Sequence, residues 1–145
     1  MSAEQNKDIV RRFVEEVQSQ HKLESIDEFV SPEFVNHSPL PPGIAPTREG
    51  VRQIHKMLLS AFPDLHFVIH DQVAEGDKVV TRKTLHGTHQ GEFMGIPATG
   101  KRIEVGVIDV LTLVDGKTTE HWGGEDRLAM MQQLGVVSPQ GQGGG

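Results

Sequence analysis

At Pro63-Asp64 the spacing of apolar residues changes period, and this break divides the chain into a helical first half and a sheet-forming second half. Before the break, Ile9, Val10, Phe13, Val14 and Val17 recur at helical spacing between about Ala3 and Gln20. Ser2 and Gln5 stand where a capping box would start that helix. Leu23, Ile26, Phe29 and Val30 predict a second, short helix, with Ser31-Pro32 restarting a turn after it. Phe34 to His37 reads as a short extended segment. From Ser38 to Pro46, prolines at 39, 41, 42 and 46 remove backbone donors and restrict their neighbours, so the stretch is a loop that could serve as a lid. Thr47 then caps a helix carrying Val51, Ile54, Met57, Leu58 and Phe62, which Pro63-Asp64 stops.

After the break the alternation is two-residue. Leu65, Phe67 and Ile69 alternate with His66, Val68 and His70, and Glu75-Gly76-Asp77 turns into a strand from Lys78 to Thr88. A loop from Gly91 to Gly100 leads to a strand from Arg102 to Val114, and Asp115-Gly116 turns it back into Thr118 to Trp122. A last helix holds Leu128, Met130, Met131 and Leu134 and ends at Gly135. Helices first and a long meander second predict an α+β fold with helices gathered on one face of the sheet. If that antiparallel sheet curls around the N-terminal helices, its concave face and the helices enclose a pocket. One domain is expected over residues 1–137, followed by a flexible polar tail at 138–145.

Composition narrows what that pocket can serve. At 145 residues, with 36% hydrophobic and 23% charged residues, the chain suits one globular core. A formal charge of -6 and no lysine or arginine run argue against a nucleic-acid partner. There is no cysteine, hence no thiolate nucleophile. The first residues lack the apolar run of a signal peptide, which gives a cytoplasmic expectation, and no stretch reaches the roughly 18 to 20 apolar residues of a membrane span. The eight histidines include no His-x-x-x-His pair on a helix beside an acid, so no metal is expected. No phosphate loop or dinucleotide fingerprint is present, so no nucleotide cofactor is expected either. His66 and His70 alternate away from Leu65 and Phe67, toward solvent or a subunit contact.

One strand carries an anomaly. Its face Ile103, Val105, Val107, Asp109, Leu111, Leu113 sets a single carboxylate in an apolar row. A buried carboxylate must find a partner or take up a proton, and either outcome suits acid-base chemistry. A structural aspartate at a bulge is the competing reading. A two-residue turn at Asp115-Gly116 would set Asp109 opposite Trp122. A three-residue loop Val114-Asp115-Gly116 sets it opposite His121 and sends Glu120 outward, and is preferred. Asp109 and His121 are therefore the expected acid-base couple. Asp126 is a second candidate acid, although it also fits the cap of the last helix. Asn36 and His37 at the pocket rim, with Val107 and Phe93, are the expected substrate contacts; His37 could equally cap a turn. If Asp109 and His121 face inward, then Ile108, Val110 and Trp122 face outward, and that patch predicts a homodimer or higher homo-oligomer unless a helix of the same chain covers it.

The segments Ala61-Phe-Pro-Asp-Leu65, Glu75-Gly-Asp-Lys-Val-Val80, Gly87 to Lys101, Asp115-Gly-Lys-Thr-Thr-Glu-His-Trp122 and Met131-Gln-Gln-Leu-Gly135 together resemble the SnoaL-like polyketide cyclase family, within the nuclear transport factor two superfamily. The match runs from Asn6 to Gly135. It implies an α+β cone with a deep pocket for a small hydrophobic organic ligand. It also implies cofactor-free closure of a polyketide ester ring by an intramolecular aldol reaction, with a carboxylate as acid-base. The family's catalytic aspartate stands two residues after the histidine matching His121, and here that place is Gly123. Asp109 occupies a position where those enzymes carry a histidine, so acid and imidazole could be exchanged across the hairpin. The alternatives to an enzyme are a binding module that keeps the pocket without the chemistry, and a structural or interaction domain with a vestigial pocket.

Overall fold

A computed structural model describes residues 1–137 of the chain; the expected tail at 138–145 lies outside the described residues. The fold is α+β. Helix α1 (Ala3–Phe13) starts on the anticipated capping box: Ser2 Oγ accepts from Gln5 N at 3.1 Å, and Gln5 Oε1 accepts from Ser2 N at 2.8 Å. It runs on into a π-helical segment, Val14–Ser19. π-helical turns are uncommon and concentrate at functional sites; this one carries Val14 and Gln18 to the pocket wall. A 3₁₀ turn (Leu23–Ser25) and a single-turn helix α2 (Ile26–Phe29) follow, then strand β1 (Val30–Asn36).

β1 departs from expectation, because Ser31-Pro32 does not restart a turn but lies inside the strand. The strand sits at the sheet edge, where a missing N–H costs little, and its register is irregular between Val30 and Val35. Helix α3 (Arg48–Ala61) is followed by β2 (His66–Glu75), β3 (Lys78–Thr88), β4 (Arg102–Val114), β5 (Lys117–Glu125) and helix α4 (Arg127–Gln133). β2 to β5 form the expected antiparallel meander. The sheet as a whole is mixed, in the order β1-β5-β4-β3-β2, because β1 adds to β5 in parallel.

The β4–β5 hairpin turns on two residues, not the three expected. Asp115 (φ 51) and Gly116 (φ 79) both take positive φ, as a tight Asp-Gly hairpin turn demands, and Val114 pairs with Lys117. The extra residue enters further along as a bulge: Leu113 pairs with Thr118 but Thr112 with Glu120, leaving Thr119 over. Strand alternation has a period of two, so one inserted residue reverses which side chains face inward. The bulge therefore turns His121 inward by another route. Leu111 stands opposite His121 and Asp109 opposite Gly123, which makes Asp109 and His121 diagonal neighbours.

Buried apolar side chains form three groups. Ala61, Phe62, Leu65, Leu85, Phe93, Ile103, Val105, Val107, Met130 and Leu134 fill one end, between α3, α4 and the sheet. Val17, Ile26, Phe29, Val30 and Phe34 fill the other. Val10, Val14, Val79 and Leu113 fix α1 to the centre of the sheet. No helix among the described residues is long and apolar enough to cross a membrane.

Candidate functional site

A cavity of about 130 Å³ opens between the N-terminal helices, α3 and the inner face of the sheet. Its walls are apolar: Val10, Phe13 and Val14 from the N-terminal helix, Val30 and Phe34 from β1, Val51 and Ile54 from α3, and Leu111 from β4. The polar groups cluster. Asp109 comes from β4, Thr81 and Lys83 from β3, His121 and Thr118 from β5, Asn36 from β1, Gln18 from the π-helical segment and His55 from α3.

Asn36, His121, Asp109, Lys83, Gln18 and His55 form one continuous chain of hydrogen bonds. Asp109 Oδ1 lies 2.7 Å from His121 Nε2, and Asp109 Oδ2 lies 2.8 Å from Lys83 Nζ. Lys83 also donates to Gln18 Oε1 at 2.7 Å, and its ammonium stands 4.7 Å from the centre of the Phe67 ring. Gln18 Nε2 lies 3.1 Å from His55 Nε2, and His55 Nδ1 lies 2.7 Å from Val51 O. A carbonyl can only accept, so His55 carries its proton on Nδ1 and receives Gln18's amide proton on Nε2. At the other end, His121 Nδ1 lies 2.9 Å from Asn36 Oδ1, which also accepts from Ser38 N at 3.0 Å. The Ser38 N–H identifies that atom of Asn36 as an oxygen. Both nitrogens of His121 thus face oxygen atoms, Nε2 the Asp109 carboxylate and Nδ1 the Asn36 carbonyl.

Burial sets the charges. It works to raise Asp109, whose side chain is 14% exposed, but the Lys83 ammonium and the His121 hydrogen bond outweigh burial and hold the carboxyl well below the usual carboxylate range. His55 goes the other way. Desolvation pulls it down to about 4, with the Lys83 charge adding to the effect against Val51 O and Asp109, so it is neutral near pH 7.

Of the residues singled out from sequence, Asp109, His121 and Asn36 are brought together at the cavity. Four others are not. His37 points to the reverse side of β5, bonded to Glu120 Oε2 at 3.1 Å and stacked on Trp122 at 4.7 Å, because neighbouring strand residues face opposite ways. Val107 and Phe93 belong to the buried group at the α4 end, two strand residues and one loop away from the cavity walls. Asp126 caps α4, accepting from Ala129 N at 3.0 Å. Lys83, Gln18 and His55 were not anticipated. Lys83 was accessible by the argument that found Asp109, since Val79, Thr81, Lys83 and Leu85 alternate inward along β3 and place a lone amine in that row.

The sequence profile of the SnoaL-like polyketide cyclases matches residues 8–134. The chain belongs to that family. It is 30% identical over 141 residues to the aklanonic acid methyl ester cyclase DauD of Streptomyces sp. (strain C5), spanning 94% of this chain and 85% of that protein. It is 28% identical over 138 residues to the corresponding cyclase DnrD of Streptomyces peucetius, spanning 94% of each. Its fold superimposes on the structure of TsrD from Streptomyces laurentii with a TM-score of 0.84 and 30% identity, covering 94% of this chain and 99% of that one.

Gly123, where the family resemblance calls for an acid, has a backbone no aspartate would adopt without strain. Its φ is +109, and a Cβ built on it would stand 2.1 Å from Ile108 O. Gly123→Asp should therefore fail to restore the family's acid and instead destabilise the fold, by about 1–3 kcal/mol from the backbone conformation before the clash is counted. Urea unfolding of the variant measures this, and a midpoint unchanged from wild type would show that β4 and β5 can separate to admit the side chain.

Proposed function

We propose that this chain is a cofactor-independent enzyme that rearranges a small carbonyl or ester compound by proton transfer, as an aldol cyclase or isomerase, with Asp109 and His121 as the acid-base pair. The observation that carries the reading is the 2.7 Å contact of Asp109 with His121 at the polar end of an otherwise apolar cavity. Asp109 is held too acidic to be an effective base at neutral pH, so its task is to orient the ring and balance its charge. The imidazole is the group matched to move a proton. In an aldol closure, neutral His121 takes the proton from the carbon next to an ester carbonyl. The enolate carbon forms a bond to a ketone carbon in the same molecule, and the imidazolium returns the proton to the resulting alkoxide. Product and substrate are isomers, and no oxidant or second reactant is consumed.

The experiment is incubation with a panel of aryl keto methyl esters, followed by mass spectrometry and carbon NMR. An isobaric product lacking the ketone carbon resonance supports the cyclase. A ligand that co-purifies or binds and is recovered unchanged supports the second reading, a binding module, which Gly123 at the family's acid position favours.

The reading includes a homodimer through the outer face of the sheet, and a location in the cytoplasm. Ile108 is 52% exposed and Val73 65% exposed on that face. Trp122 is half-buried there, stacked on His37 and with the Lys78 ammonium 5.6 Å from its ring centre. Light scattering at micromolar concentration should give twice the chain mass, with Ile108→Glu shifting it to the monomer. A monomeric wild type would remove the dimer from the proposal.

A further inference from the structure

We propose that Lys83 is a positioning residue of this site: its buried ammonium shares the Asp109 carboxylate with His121 and so keeps the imidazolium proton transferable. The inference rests on the acid-base reading above and adds to it a residue. Two nitrogen groups, an ammonium and an imidazole, meet one carboxylate. Lys83 is 3% exposed and contacts Asp109 Oδ2, while His121 contacts Oδ1. Were Asp109 paired with His121 alone, the full negative charge would favour the protonated ring and the proton would be held. Lys83 draws on the same charge and, as a second cation, disfavours a charged ring beside it.

The amine is built in. Gln18 accepts one of its protons and is itself tied to His55, which is tied to the α3 backbone; the Phe67 face covers it from the β2 side. The charged and titratable groups facing the pair are Lys83 on β3 and neutral His55 on α3. On the reverse of β5 Glu120 is paired with His37. With His121 protonated, the polar end of the cavity therefore carries one net positive charge. That suits a compound in which negative charge develops on oxygen, an enolisable ketone or ester, and is wrong for one that develops a cation.

The test needs no substrate. Proton-nitrogen NMR of the full chain, with the His121 ring assigned by His121→Gln, gives the midpoint of the imidazole titration. Lys83→Met and Lys83→Gln should both raise that midpoint by about one pH unit or more, because both remove the charge, whereas Lys83→Arg should leave it nearly in place. An unchanged midpoint in the folded Gln variant would overturn the proposal, since glutamine removes the charge while keeping a polar amide at that position. Should these variants not fold, the wild type still decides. Its Lys83 Nζ resonance should remain that of an ammonium throughout the His121 titration, and a neutral amine there would equally overturn it. Failure on either count leaves the cyclase assay free to succeed, and an inert protein leaves the titration readable.

Discussion

Asp109→Asn is expected to lose about two to four orders of magnitude in turnover on an identified substrate, the range that positioned proton transfer supplies. Asparagine matches the shape of aspartate but removes the anion that Lys83 and His121 share. The imidazolium formed when His121 takes the substrate's proton then has no counter-charge beside it and stands next to the Lys83 ammonium. His121→Ala should cost a similar factor, and the double variant little more than either single one, because the two residues serve one step. Removing one partner of a buried ion pair also costs about 3–5 kcal/mol of stability. Turnover must therefore be normalised to folded protein, read from circular dichroism of the same sample. Unchanged turnover in Asp109→Asn would remove the pair from the mechanism and leave the binding module as the better reading.

The fold itself should weaken in mild acid, and His55 is the cause. Its value is about 6.5 when exposed and about 4 in the folded chain, so the unfolded state binds the extra proton first. The stability from holding His55 neutral is complete above about pH 6.5, is lost as pH falls from there to about 4, and changes no further below. A displacement of this size corresponds to about 3 kcal/mol. Asp109 acts in a separate window. Its depressed carboxyl contributes stability above the ordinary carboxylate range, which is lost as pH falls through and below about 4. Urea midpoints at half-unit intervals from pH 7.5 to 4 should fall steadily for the wild type and stay flat for His55→Gln, at a lower starting stability. The same slope in both proteins would assign acid sensitivity to another group.

The wild-type sequence carried the fold in its periodicities. The helical spacing of Ile9, Val10, Phe13, Val14 and Val17, the Ser2 cap and the alternation from Leu65 onward are local features, fixed by how side chains project from a helix or a strand. The same logic placed Asp109 among inward-facing residues of β4. Pro32 was misread because a proline after serine carries the same local signal at a helix start and on an open sheet edge. Only the neighbour, β5 on one side and nothing on the other, distinguishes them.

What brings His121 to Asp109 was beyond a single sequence. An extra residue in the turn and an extra residue at Thr119 reverse strand facing equally well, and the choice belongs to how the hairpin seats against β1 and the helices. His37 and Asn36 are adjacent in the chain, yet only Asn36 reaches the cavity, since the parallel register of β1 on β5 sets Asn36 beside His121. The partners of Lys83 come from four elements, 18, 67, 109 and, through Gln18, 55. Local spacing determines which way a side chain points. Which charges meet, and hence what the site can do with a proton, was decided when the helices closed over the sheet and excluded water from the groups between them.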